Sequence, residues 1–234
     1  MNIKDVDRPI AISGTEPITL EWAKHHLRFR SSAEDDVLTT YISAARGYFE
    51  EQTGRSCIDA EWEYALDVPP AGSVIELPRP PLSSVVSIVY DDGDGVEQTF
   101  DAASYIVHPS IGSPHSGSPS DPVALDAYCG CGWIELASGA SWPSTSGRAR
   151  SFRIRRICGY GATADAMPPM IQATIGMLVQ FFHSRELGDL PPVVQSLIDG
   201  FKWTAIQTQP PVDRLPVTST QPITADWWAT TINR

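Results

Sequence analysis

Residues 32–68 read SAEDDVLTTYISAARGYFEEQTGRSCIDAEWEYALDV, and within them the hydrophobic period changes from that of a helix to that of a strand. From Ala33 to Thr53 the apolar positions Val37, Leu38, Tyr41, Ile42, Ala45, Tyr48 and Phe49 recur at helical spacing and make a broad stripe. Ser32, three residues before Asp35, offers a capping-box-like start. Glu34, Asp35 and Asp36 sit in the first turn, where the helix dipole favours acids, and Gly54 ends the helix. From Ile58 the period is two. Ile58, Ala60, Trp62, Tyr64, Leu66 and Val68 alternate with Asp59, Glu61, Glu63, Ala65 and Asp67, the pattern of a half-buried antiparallel strand with an acidic outer face.

On the N-terminal side, Thr19 to Leu27 (TLEWAKHHL) predicts a short helix with Thr19 as its N-cap. His25 and His26 are adjacent, so they point to different faces and cannot share a metal. Downstream, strands are expected at 74–77, 85–90, 98–100, 105–107, 133–136 and 152–158. Asp91-Asp-Gly-Asp-Gly95 is read as a hairpin turn; its acids lack the later oxygen ligands of a calcium loop. Residues 109–122 and 137–150 are Pro/Gly/Ser-rich loops. Helix returns at Pro168 and again over 191–200, closed by Phe201 and Trp203.

The expected fold class is α+β: a small helical bundle with a β-rich insertion between its N-terminal and C-terminal helices, plus an extended C-terminal tail. Residues 1–57 are read as an N-terminal arm and bundle helices, 58–160 as the inserted antiparallel β region, 161–203 as the C-terminal helices, and 204–234 as an extended Pro-rich docking tail. That tail carries Leu215, Ile223, Trp227 and Trp228, apolar and aromatic groups that suit a docking contact better than a solvated linker.

Composition excludes several classes. The net charge is −11, against gripping nucleic acid by phosphate neutralisation. No stretch approaches the roughly 20 apolar residues of a membrane span, and the start lacks the pattern of a secretory signal. The four cysteines are accordingly expected as reduced thiols; the Cys129/Cys131 pair has no second ligand pair to complete a zinc site. No phosphate loop, dinucleotide fingerprint, nucleophile elbow or zinc-protease motif is present, and the histidines at 25, 26, 108, 115 and 183 are scattered. No cofactor, metal or catalytic residue is expected.

Two features stay open on sequence alone. Arg148, Arg150, Arg153, Arg155 and Arg156 concentrate five of the 17 basic residues in nine positions. They are either a solvated strand face or the partners of acids such as Glu61 and Glu63 on a neighbouring subunit. Pro78-Arg79-Pro80-Pro81 fits the PxxP pattern of a polyproline ligand, which would make the chain a cytosolic interaction adaptor. Lying between two strand-like segments, it reads better as a stiff corner, since proline cannot donate to a ladder. Arg79 is the one residue there that could still reach a partner.

Several stretches, taken in order over roughly residues 16–203, resemble the head–tail connector (adaptor) proteins of long-tailed bacteriophages and gene transfer agents. They are ITLEWAKHHLR, DDVLTTYISAARGYFEEQTGRS, EWEYALD leading into IELPRPPLSSVVSIVYDDGDGVEQTF, ASGASWPSTSGRARSFRIRRICGYG, MPPMIQATIGMLVQFFHSRE and LPPVVQSLIDGFKW. The loop at 109–131 and the tail beyond Trp203 are longer than such chains usually have. The resemblance implies a structural virion protein and not an enzyme. It implies a ring of this chain, usually twelve copies, at the neck of the particle, made in the host cytoplasm. Its partners would be the portal and a stopper or tail-completion protein, and the ring would leave a channel through which genome DNA passes without sequence-specific binding. The tail would dock on the portal or an adjacent subunit. An enzyme of unknown class is the remaining alternative.

Overall fold

A computed structural model of the chain describes residues 6–109, 132–163, 166–184 and 189–203. Among the described residues, four helices and antiparallel sheets make it α+β. Helix α1 (Leu20–His26) starts as its sequence dictates: the Thr19 side chain accepts the Trp22 N–H at 3.1 Å. Helix α2 (Asp35–Thr53) starts later than its capping box suggests. Glu34 is its N-cap and makes no side-chain cap, while Ser32 offers only its carbonyl, to the Asp35 N–H. Gly54 closes α2 in the left-handed conformation, φ 68°, which costs a glycine little.

Helices α3 (Pro169–Ser184) and α4 (Pro192–Phe201) follow the β region and pack back onto α2. Ile42, Ala45 and Phe49 of α2 meet Ile171, Ile175 and Leu178 of α3 and Val194, Ile198 and Phe201 of α4 in one apolar core. Two hydrogen bonds tie the end of α4 to the end of α2: Arg55 Nε donates to the Phe201 carbonyl at 2.7 Å, and the Trp203 N–H donates to the Thr53 carbonyl at 2.7 Å.

The β region forms two sheets over a second core. Strands β1 (Val6–Ile12), β2 (Ala60–Leu66), β8 (Phe152–Cys158), β4 (Leu82–Asp91) and β5 (Glu97–Thr99) lie in that order in the larger sheet. Strands β3 (Val74–Leu77), β7 (Gly132–Leu136) and β6 (Tyr105–His108) form the smaller, with a 3-10 turn at Ala102–Ser104 before β6. Ile75, Leu77 and Ile134 of the small sheet pack on Trp62, Ile88, Phe152 and Ile154 of the large one. The outer faces of the two sheets therefore look away from each other.

Residues 6–12, assigned to an arm by their sequence, are strand β1, paired antiparallel with β2 along the edge of the large sheet. The other expected strands are present with ends shifted by a residue or so; β4 begins earlier, at Leu82, because bulges after Leu82 and Val85 let it continue through Ser83 and Val86. The acidic turn is a hairpin turn: the Asp92 carboxylate accepts the Asp94 and Val96 N–H groups at 3.0 Å each. Gly159, at φ 142°, lets β8 leave the sheet hard against the Ile58–Asp59 backbone, where any Cβ would collide.

Candidate assembly surface

Strand β8 is central in the large sheet, and its alternation sorts the arginines into two environments. Arg153 and Arg155 face outward; Arg156, one position on, faces the core. Pairing sets the outward rows. Arg8 of β1, Glu63 of β2, Arg155 of β8 and Ser87 of β4 stand side by side, and Arg153 stands beside Ala65 and Val89.

Arg153 bridges two acids, reaching Asp91 Oδ1 at 2.8 Å and Glu97 Oε2 at 2.7 Å, and also donates to the Arg150 carbonyl at 2.9 Å. The guanidinium holds the Asp91 carboxyl below its ordinary value, chiefly through that hydrogen bond. Glu63 is only 6% exposed in its side chain and is shared by two cations, Arg8 at 2.6 Å and Arg155 at 3.7 Å. Arg155 is the looser partner and is 49% exposed. Arg148 and Arg150 form no ion pair among the described residues; the Arg150 backbone N–H instead caps Asp67 at 3.0 Å.

Arg156 is fully buried. Its Nη2 donates to Asp7 Oδ1 at 2.6 Å and to the Pro78 carbonyl at 3.2 Å, and its guanidinium lies 5.6 Å from the Tyr64 ring centroid. Its Nε and Nη1 have no hydrogen-bond partner. Asp7 also binds Arg79 at 3.1 Å, so one carboxylate on the edge strand serves two guanidiniums. The partner of Arg156 is thus within its own chain, and the same holds for Glu63, whose carboxylate is already enclosed. Glu61 remains half-exposed on the outer face.

The PxxP stretch is a corner. Pro80 and Pro81 are buried, the peptide bond between them is cis, and the carbonyls of Pro78, Pro80 and Pro81 accept from Arg156, Ser56 and Gly159. Arg79 adopts φ 59°, an uncommon state for a side chain with a Cβ, and lies 4.2 Å over the Trp62 ring. A polyproline ligand must be exposed along its length, so the signalling-adaptor reading is set aside. Leu215, Ile223, Trp227 and Trp228 lie outside the described residues.

Two open concavities occur among the described residues. One, about 430 Å³, is lined by Leu20, Glu21, Lys24, His25 and Phe29. Cys57 and Cys158 are free and buried, and burial pushes the Cys158 thiol up to about 11. No group of three metal-ligating side chains occurs among the described residues, and no helix there is long and apolar enough to cross a membrane.

Residues 17–92, running from α1 through the PxxP corner and β4, match the family of phage gp6-like head-tail connector proteins. The family resemblance is borne out. Among solved structures, the chain is similar to a component of the virion of a native gene transfer agent particle, at TM-score 0.66 and 22% identity over 87% of this chain and 98% of that one. It is also similar to chains in the neck of the empty particle computed with C6 symmetry (TM-score 0.65, 23% identity) and in the neck of the native particle computed with C12 symmetry (TM-score 0.65, 21% identity), with the same coverage. No curated protein sequence matches the chain. The likeness in fold thus covers 87% of the chain, while the connector-family match covers residues 17–92. What sequence reasoning missed is β1: Asp7 and Arg8 complete the arginine pairs, and their only signal was two adjacent opposite charges in VDRPIAI.

Proposed function

We propose that the protein is a structural head-tail connector: a ring of identical copies at the neck of a phage-like or gene-transfer-agent particle. The observation that carries this reading is the connector-family match over residues 17–92, set on a fold shared over 98% of the length of chains in particle necks. The ring joins the portal to a stopper or tail component and leaves a passage for DNA. Twelve copies are favoured by the C12 neck, and the family's role as a virion part argues against catalysis. A net charge of −11 suits a passage that repels phosphate and does not hold it.

In this reading the helices form a small bundle, the β region is inserted between them, and residues 204–234 are a docking tail. Leu215, Ile223, Trp227 and Trp228 would bury apolar area on the portal or an adjacent subunit. The reading that the arginine cluster meets carboxylates of a neighbouring copy is supported by Arg148 and Arg150, which have no ion pair among the described residues, and by Arg155, which is only loosely paired.

Electron microscopy of purified particles, or of the protein mixed with its portal, tests the reading. Density for a ring at the portal vertex is the expected result; particles whose neck lacks the protein would overturn it. Deleting residues 204–234 should reduce incorporation, and unchanged incorporation would remove the tail from the docking role.

A further inference from the structure

We infer that the outer face of the three-stranded sheet, with Val74, Glu76, Ile106, His108, Trp133 and Glu135, docks on the Arg8–Arg155 face of the next copy. The inference rests on the ring reading and adds which surfaces meet.

A closed ring with rotational symmetry above two-fold is built from one repeated head-to-tail contact, so each copy must carry two different, mutually complementary surfaces. The outer faces of the two sheets lie on opposite sides of one shared core, a placement that suits such a contact. Their chemistry is complementary. On the small sheet, Ile106 is 50% and Trp133 40% exposed, and pairing puts Val74 and Ile106 on either side of Glu135, and Glu76 and His108 on either side of Trp133. His108 stacks on Trp133 at 4.8 Å and fixes the indole in place. The carboxylates there are poorly served. Among the described residues, Glu135, 46% exposed, has only His108 Nε2 at 3.2 Å without hydrogen-bond alignment, and the enclosed Glu76 Oε1 has no hydrogen-bond partner.

On the large sheet, Arg8 and Arg155 share the single buried carboxylate of Glu63, so that row holds one positive charge too many. Arg155, loosely held and half-exposed, can turn to a second carboxylate without breaking a good pair. Guanidinium groups suit both parts of the facing surface: they bond carboxylates in bidentate fashion and stack on indole faces, as Arg79 already does on Trp62. A second copy, supplying arginine to aromatic and acid, is the occupant this surface fits.

The test uses full-length protein expressed with its particle, counting copies per purified neck. Glu135→Arg alone and Arg155→Glu alone should each lower incorporation at least about tenfold. Co-expressed, the two single variants should restore it, because an alternating ring of them pairs opposite charges at every contact. Single variants that incorporate normally, or a mixture that fails to recover, overturn the inference. Trp133→Ala guards against misfolding: with an unchanged melting temperature it should still lower incorporation, and normal incorporation again overturns the contact. In all these failures a wild-type ring at the neck leaves the connector reading standing. Absence of the wild-type protein from the neck overturns the reading and the inference together.

Discussion

The helical half and the β half of this protein enclose their interiors differently. Around α2 the core is apolar side chains drawn mainly from one stripe on each helix, and the arginine buried beside it, Arg55, is held by neutral groups, the Phe201 carbonyl and the Tyr160 hydroxyl. Between the sheets the interior also admits a cation, Arg156, neutralised by an acid from the edge strand β1. The first arrangement gains from every methylene it encloses. The second depends on one ion pair being complete, because a charge left without its counterion in a dry site is costly.

The largest effects should come from attacking each half at its own weak point. Phe49→Ala, in the centre of the helical core, should cost about 3–5 kcal/mol in chemical denaturation. Asp7→Ala, which strands Arg156 and loosens Arg79, should cost a similar amount, about 3–5 kcal/mol. The halves separate on repair. Adding Arg156→Met to Asp7→Leu should recover most of that loss, since no buried charge is then left over. A double variant as unstable as Asp7→Ala would show that the pair does more than neutralise itself.

A smaller effect tests the helix starts. Thr19→Ala should destabilise by about 1 kcal/mol, while Glu34→Ala, where no side-chain cap exists, should be near neutral in the same melts. The smallest concerns the outer face of β8. The folded Asp91 carboxyl titrates below its ordinary value of 3.8, so its bond to Arg153 contributes stability above that pH and loses it as the pH falls through the lower folded value. Asp91→Asn should therefore be less stable than wild type by only about 0.2–1 kcal/mol at neutral pH, with the gap closing in acid and in high salt. A gap that persists at low pH would assign the effect to packing.

The elements with a strong period were legible from sequence, because the same alternation that shows in the letters decides which side chains are enclosed. The switch at Ile58, the corner at Pro78–Pro81 and the Gly54 stop are of this kind. Strand β1 was not, since an edge strand with both sides largely open needs no alternation, and Pro9 interrupts the pattern. The arginine cluster was visible as a concentration of charge. Its division into a buried Arg156 and outward Arg153 and Arg155 follows from β8 pairing with both β2 and β4, and from an acid arriving from far away in sequence. Nothing local announces that an arginine will be enclosed.

The separation of β1 from its partners bears on how the protein is made. Its Arg8 finds Glu63 55 positions later, and its Asp7 finds Arg79 72 positions later and Arg156 149 positions later. β1 can pair with β2 once residue 66 has been made, but Asp7 cannot neutralise Arg156 until β8 follows, so the ion pairs of this edge are completed late. A growing chain therefore keeps the β8 edge of β2 open until residue 158, and the large sheet is sealed while helices α3 and α4 are still to come.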